Sequence, residues 1–408
     1  MQFNRILQNA LVSSTSRGKA RLILGARQTG KSTLFRLIQP QASGATFLLD
    51  LQDRAERSRF ARDPALLTRT LLAPGSRMRH VLIDEVQRVP DLLDEIQLVL
   101  DRNPGRFTFT LTGSSAHHLR RSGANLLPGR THRYFLSPVC RWEQEGGNRG
   151  TFLRWRGRFP RNPFPARPLE ETLVLGSLPA AFTEGDAFRK TLESYAEIYV
   201  EEEVLREMAA RNLGSYSRFL ELAAMESGKP INLTKISQES GIALSTIRGF
   251  YRVLEDTLLG FTVPPYTGSG KARILRTPKF YFFDVGVRNA VARLPLDPRI
   301  LVTEGGNLFE HWVACELMAR IGYVGRFYRL SFWRTVDGAE VDFILETPGE
   351  SFPIEVKFTR NPRPEDARSI ENFLVRYPKK ARRGFLICRC PRPEQLTDHV
   401  VAIPWEYL

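Results

Sequence analysis

The sequence Leu22-Ile23-Leu24-Gly25-Ala26-Arg27-Gln28-Thr29-Gly30-Lys31-Ser32-Thr33 decides the fold. An apolar run leads into a loop bounded by two glycines, and a helical pattern follows over 32–38. The loop fits G-x-x-x-x-G-K-[ST], whose spacing has a physical basis. Glycines let the backbone curl until its N–H groups point at phosphate oxygens. The following helix adds the positive end of its dipole. Lys31 can reach β- and γ-phosphates, and Ser32 can ligate Mg²⁺. The expected nucleotide-binding set is Gly25, Gln28, Thr29, Gly30, Lys31, Ser32 and Thr33, with ATP and Mg²⁺ as cofactors. The alternative is a glycine-rich structural turn.

Such a site needs a second strand that ends in an acid, and His80-Val81-Leu82-Ile83-Asp84-Glu85 supplies one. Asp84 would hold Mg²⁺ through water, and Glu85 would polarise the attacking water. The next apolar run ends in Leu111-Thr112-Gly113-Ser114-Ser115. Thr112 or Ser114 could sense the γ-phosphate, or the hydroxyls could cap a helix at Ala116–Leu127. Further out, apolar runs at Leu22–Leu24, Thr46–Leu49, Val81–Ile83, Phe107–Leu111 and Tyr134–Leu136 alternate with helical patterns at Ser32–Ile38 and Leu92–Leu100. That alternation predicts a parallel α/β sheet. Residues 1–14 read as an amphipathic helix with Ile6, Leu7, Leu11 and Val12 on its apolar side.

The 408 residues carry 59 Lys and Arg against 44 Asp and Glu, a net charge of +15. This surplus fits a polyanionic partner such as nucleic acid, or simply solubility. Residues 1–140 hold 21 basic and 10 acidic side chains, whereas 173–268 hold 9 and 13, so the charge divides the chain into units. Four cysteines, Cys140, Cys315, Cys388 and Cys390, lack the spacing of a zinc site or a disulfide scaffold. No apolar run reaches membrane-spanning length, and the first 20 residues are unlike a secretory signal. A cytoplasmic compartment is expected.

Composition breaks at Pro138. The stretch 139–168 interleaves Arg154, Arg156, Arg158, Arg161 and Arg167 with Trp142, Phe152, Trp155, Phe159 and Phe164. It could track a phosphate backbone and stack on bases, or pack on the protein's own acids. Residues 231–265 have the layout of a winged helix-turn-helix: helix Thr234–Glu239, turn at Gly241, helix Ser245–Asp256, extended run Leu258–Val263. Only Ser245, Thr246, Arg248 and Arg252 offer donors to a groove, in the sole net-negative segment, so protein packing is an equal alternative.

The last third carries Glu340-Val341-Asp342 and Ile354-Glu355-Val356-Lys357 on two expected strands, after Glu310 on an expected helix Leu308–Ile321. Asp342 and Glu355 could share a Mg²⁺, Lys357 falls on the Glu355 face, and Glu310 could complete the metal shell. This D…E-x-K pattern marks a restriction-endonuclease-like site, either active as a nuclease or kept as a scaffold with its acids paired to Lys357 and Arg334.

Together these residues resemble the prokaryotic AAA-superfamily ATPases that carry a C-terminal domain of unknown function. The resemblance rests on Arg5, Leu24–Ser32, Ile83–Pro90, Leu111–Ser115 and Leu127-Pro128-Gly129-Arg130. It continues through Gly176–Pro179, Phe282–Gly286 and Glu340–Phe343. It implies sheet order 5-1-4-3-2, Arg130 as an arginine finger acting on a neighbouring subunit (with Arg133 as rival), and a homo-oligomer, a hexamer favoured. The sequence departs from the family at Tyr199-Val200-Glu201-Glu202-Glu203 and in the long basic insert.

The expected fold is α/β throughout: a P-loop AAA-type parallel sheet at 1–138 and a basic insert at 139–168. A helical region with a winged helix at 169–278 and a nuclease-like α/β domain at 279–408 complete it. Three functions fit: an ATP-driven remodeller or translocase on nucleic acid, an ATP-gated nuclease, or a nucleotide switch whose C-terminal domain binds a protein.

Overall fold

A computed structural model describes residues 3–13, 19–38, 45–113, 130–147, 157–199, 213–268, 277–325 and 327–408. Ser114, Ser115, the helix expected at Ala116–Leu127, Phe152, Arg154, Trp155, Arg156 and Glu201–Glu203 lie outside these residues. The chain forms two compact units. One comprises 1–137, 157–163 and 256–258, and the other the remainder.

The first unit is built on five parallel strands, β1 (Ala20–Leu24), β2 (Ala45–Asp50), β3 (Met78–Asp84), β4 (Thr108–Gly113) and β5 (Thr131–Phe135), in the order β2-β3-β4-β1-β5. This is the order the resemblance implies. β1 pairs with β4 on one side and β5 on the other. All five of its residues are buried, so it reads as a continuous apolar run rather than an alternation. The exception, Arg21, donates to the Leu11 carbonyl at 2.6 Å. Helices α1 (Ile6–Ser13), α2 (Lys31–Ile38), α3 (Arg54–Arg62), α4 (Leu66–Leu71) and α5 (Leu92–Arg102) accompany the sheet. Leu22, Phe60, Leu67, Ile83, Leu92, Ile96 and Phe109 share one core. Ile6, Leu7 and Leu11 are buried as expected on α1. The loop after β1 leaves the carboxyl edge of the sheet, the edge where open α/β sheets bind ligands.

The second unit begins with α6 (Leu169–Leu175), α7 (Phe188–Ser194) and α8 (Leu213–Met225). The helix pair α9 (Leu233–Ser240) and α10 (Leu244–Asp256) follows. The Asn232 side chain caps α9 by accepting from Lys235 N at 3.0 Å, and Gly241 ends it at φ +72°, the left-handed turn glycine permits. Ile247, Phe250, Tyr251 and Leu254 bury one side of α10. Phe219 and Tyr216 of α8 pack edge-on against these rings. Ser245, Thr246, Arg248 and Arg252 lie exposed on the other side.

Strand β6 (Gly260–Val263) pairs antiparallel with β7 (Lys279–Phe282). This pairing spans the boundary expected at 278/279. After α11 (Val285–Val291) comes the long α12 (Leu301–Val324). A six-stranded sheet contains β8 (Arg329–Arg334), β9 (Glu340–Glu346), β10 (Ser351–Val356), β11 (Gly384–Cys388), β12 (Glu394–Gln395) and β13 (Val400–Pro404). Their order is β12-β13-β11-β10-β9-β8. Helix α13 (Arg368–Arg376) buries Ile370, Phe373 and Leu374 in a core shared with Trp333, Val341, Ile344 and Leu386.

The basic insert is not a uniform exposed strip. Trp142 is buried beneath the Arg320 guanidinium, 4.5 Å from its ring centre. The Glu316 carboxylate accepts from Arg141 N at 2.8 and 3.1 Å. Phe164 is buried against Phe182, and Arg167 lies over the same ring. These side chains serve the interior, because Glu316 and the rings give them partners that local sequence does not reveal. Arg158 and Arg161 remain exposed. No disulfide joins the four cysteines. Among the described residues no helix is long and apolar enough to cross a membrane.

Candidate functional site

The loop expected to cradle phosphate closes tightly. A Cβ on Gly25 would lie 2.5 Å from the Leu136 carbonyl oxygen and 2.9 Å from Thr29 Oγ1, so only glycine fits there. Gly30 turns at φ +94°, and Gln28 takes the left-handed region at φ +57°. The buried Lys31 ammonium donates to the Gly25 and Ala26 carbonyls at 2.8 and 3.0 Å. It thus folds back along the loop at the first turn of α2. The Thr29 hydroxyl ties the loop to Ala26 O at 2.7 Å. Arg5, buried on the segment before α1, donates to Thr29 O at 2.8 Å and Ser137 O at 2.6 Å. It therefore fixes the loop against the chain leaving β5. Thr33 is exposed one residue further along α2.

The two signature acids sit where β3 ends. Asp84 Oδ2 accepts from the Ser32 hydroxyl at 2.7 Å and from Gln52 Nε2 at 3.3 Å. A hydroxyl and a carboxylate in direct contact at a phosphate loop are a donor set suited to Mg²⁺, a hard cation that prefers oxygen ligands. Glu85 follows at φ +56°, a left-handed position for a non-glycine residue. Its carboxylate accepts from Gln87 Nε2.

Thr112 stands at the end of β4 next to the acid pair. Its side chain is fully buried, its hydroxyl donates to Asp84 Oδ1, and the same oxygen accepts from Glu85 N at 3.0 Å. The Thr112 hydroxyl thus bridges the two acids of the pair. Arg130 precedes β5, beside the start of β1, as Ala20 N donates to its carbonyl at 2.8 Å. Its guanidinium pairs with Asp101 at 2.7 Å, with both side chains about two-fifths exposed. That end of β1 is opposite the phosphate loop of the same chain. Gln52 and Gln87 were not among the expected site residues, although Gln87 lies inside the segment Ile83–Pro90.

In the second unit, antiparallel pairing places Ile354 opposite Phe343, and one step on Glu355 meets Asp342. Asp342 Oδ2 accepts from Val356 N at 2.8 Å. Lys357 donates to Glu355 Oε1 at 2.9 Å. Glu355 Oε2 is buried with no hydrogen-bond partner. Burial, Glu310 and Glu355 push the Asp342 carboxyl well above its ordinary range, outweighing Lys279. Burial likewise raises Glu355 against the pull of Lys357.

Glu310, expected in a metal shell, has one oxygen engaged by β7. Its Oε1 accepts from Lys279 at 3.1 Å and from the Tyr281 hydroxyl at 2.7 Å. Lys279 also pairs with Glu340 at 2.8 Å. Burial lowers the Lys279 pKa, but Glu310, Asp342 and Glu340 outweigh it and raise it overall. Arg334 meets Glu340 at 3.4 Å rather than Asp342. Among the described residues no three acidic, histidine or cysteine groups stand close enough to hold one ion. Lys279 and Tyr281 escaped the sequence reading because they come from the hairpin strand, not from the acidic motif.

Three domain models match the chain: an AAA domain over residues 17–144, a domain of unknown function (DUF8612) over 166–297, and another (DUF4143) over 305–408. Uncharacterized proteins Mb2031c of Mycobacterium bovis and Rv2008c of Mycobacterium tuberculosis are each 26% identical over 385 residues. The match covers 94% of this chain and 79% of theirs. Among solved structures, a STAND protein with a tetratricopeptide repeat sensor from Pyrococcus horikoshii is 12% identical at TM-score 0.22. A type III CRISPR defence DNA nuclease activated by cyclic oligoadenylate is 14% identical at TM-score 0.20. The chain covers 45% and 48% of these two structures, less than half of each, and scores this low define no shared fold. The phosphate loop and the acid pair lie inside the segment that matches the AAA domain, and Glu310, Asp342, Glu355 and Lys357 lie inside the segment that matches DUF4143.

Proposed function

We propose that the protein is a Mg²⁺-dependent ATPase whose hydrolysis cycle acts on or with nucleic acid, as a homo-oligomer with a hexamer favoured. The observation that carries this reading is the 2.7 Å contact between Ser32 Oγ and Asp84 Oδ2, beside Lys31 and Glu85. Bound Mg²⁺ would neutralise charge on the β- and γ-phosphates. Ser32 and Asp84 would hold that ion, the latter through water. Lys31 would leave the Gly25 and Ala26 carbonyls and turn to the phosphates. Glu85 would align the attacking water and accept its proton. Arg130, at the opposite end of β1, would leave Asp101 and reach the nucleotide of a neighbouring subunit.

The test is turnover with and without DNA. Lys31→Ala should abolish hydrolysis and weaken ATP binding, and Glu85→Gln should retain ATP without turning it over. Unchanged turnover in Glu85→Gln rejects its role. Exposed Arg158, Arg161, Arg248 and Arg252 support contact with a phosphate backbone. Replacing Arg158 and Arg161 by Ala should weaken DNA binding and flatten its salt dependence. Equal affinity and slope would assign both to structure.

A second reading, an ATP-gated metal-dependent nuclease, is favoured by one observation: the unpartnered, buried Glu355 Oε2 beside Asp342. A divalent cation there would satisfy that oxygen, and Lys357 could orient a water. Cleavage of supercoiled DNA with Mn²⁺ in the wild type and its loss in Asp342→Ala would support this reading. Equal traces of cleavage in both would leave the domain a scaffold.

A further inference from the structure

We propose that the Lys279 ammonium fills a second cation position in the C-terminal acidic site, leaving one divalent-cation position between Asp342 and Glu355. This rests on the second reading above, that these two carboxylates take a metal.

Strand β7 has two working faces. Phe280 and Phe282 pack together, and Phe280 also meets Tyr251 of the helix pair. Lys279 and Tyr281, alternating to the other face, both reach Glu310. Lys279 is only 3% exposed and bridges Glu310 and Glu340 at 3.1 and 2.8 Å. The Phe332 ring lies 5.3 Å from its nitrogen. Backbone bonds fix the strand in place, from Gly228 N to Phe280 O at 2.8 Å and from Ile231 N to Pro278 O at 2.9 Å. The ammonium thus sits among carboxylates from α12 and β9, where a hard cation would otherwise find oxygen ligands.

On the other side of the site the donor set is complementary. Glu355, its side chain 8% exposed, gives one oxygen to Lys357 and keeps the other without a partner. A buried carboxylate oxygen left this way is costly unless something binds it. Glu310 turns its Oε1 to Lys279 and Tyr281. The acidic residues therefore divide into a half neutralised by a built-in cation and a half open to an added one.

The experiment counts ions. Full-length protein in an Asp84→Asn background, without nucleotide, is titrated with Mn²⁺ and free ion is followed by electron paramagnetic resonance. One Mn²⁺ per chain is expected, lost in Asp342→Asn. Lys279→Met should bind two, with the bound signal broadened by coupling between the ions. Lys279→Arg, which keeps the charge, should stay at one. Lys279→Met should also melt roughly 5–10 °C lower, because it leaves the half-buried acids Glu310 and Glu340 without their ammonium. Mn²⁺ should recover about half of that loss by binding only the folded state. If that variant does not fold, Lys279→Met/Glu340→Gln gives the same count, since Glu310 and Asp342 still face the vacated position. Two ions in the parent, or one in the Met variant, overturns the assignment of Lys279 while the metal reading stands. No ion in any variant removes the metal reading itself.

Discussion

Acidification should destabilise the second unit through His311. This residue on α12 is 2% exposed, and its Nε2 lies 2.7 Å from the Phe282 carbonyl, placed to donate to it. Burial, reinforced by Arg288 and only partly opposed by that bond, lowers its pKa from 6.5 to about 3. At pH 5 the folded unit holds a neutral imidazole where the unfolded chain carries a proton. For a base with a depressed folded pKa, the stability is present above pH 6.5 and lost as pH falls toward 3. One pH unit in that window is worth about 1.4 kcal/mol, so the loss at pH 5 is about 2 kcal/mol. All five tryptophans fall in the second unit, so urea unfolding followed by their fluorescence reports on that unit. His311→Gln can still donate to the carbonyl but cannot titrate. Between pH 7.5 and 5 the stability difference should shift by about 2 kcal/mol in favour of the variant. Parallel pH curves for the two proteins would refute the argument.

Three further outcomes are expected. Gly25→Ala must displace the Leu136 carbonyl or the loop, so affinity for a fluorescent ATP analogue should fall by about tenfold or more; an unchanged Kd would mean that the loop yields freely. Thr112→Val keeps the shape and removes the hydroxyl that links Asp84 to Glu85, costing about 1–3 kcal/mol of stability to denaturant together with turnover. Full activity in that variant would show that the acids need no such link. Arg130→Ala should lower turnover without changing ATP affinity, and mixing it with inactive Glu85→Gln subunits should restore part of the rate. A monomer with full turnover in sedimentation would exclude action on a neighbour.

The phosphate loop was legible because its chemistry is local: the glycines, Lys31 and Ser32 are adjacent, and their flanks show the strand and helix. Asp84 and Glu85 followed from the next apolar run that ends in acids. Helix α3 was not legible, because Arg54–Arg62 is almost wholly polar and Phe60 is its single buried anchor. The interior roles of Arg141, Trp142 and Arg167 depend on partners far along the chain, as does the pairing of β7 with β6. Lys279 lies far along the chain from Glu310, and nothing local to it signals that the two meet. Thr112 was found as a polar strand end, but only packing decides which way its proton points.

The left-handed backbone at Gln28 and Glu85 has a consequence for laboratory evolution. At both positions glycine would relieve strain of order 1 kcal/mol. A selection for heat resistance alone should therefore collect glycines at the two places where ATP chemistry is expected. Lineages improved in this way should grow steadily tougher and slower, and the order in which Gln28 and Glu85 are lost would rank how much strain each position holds.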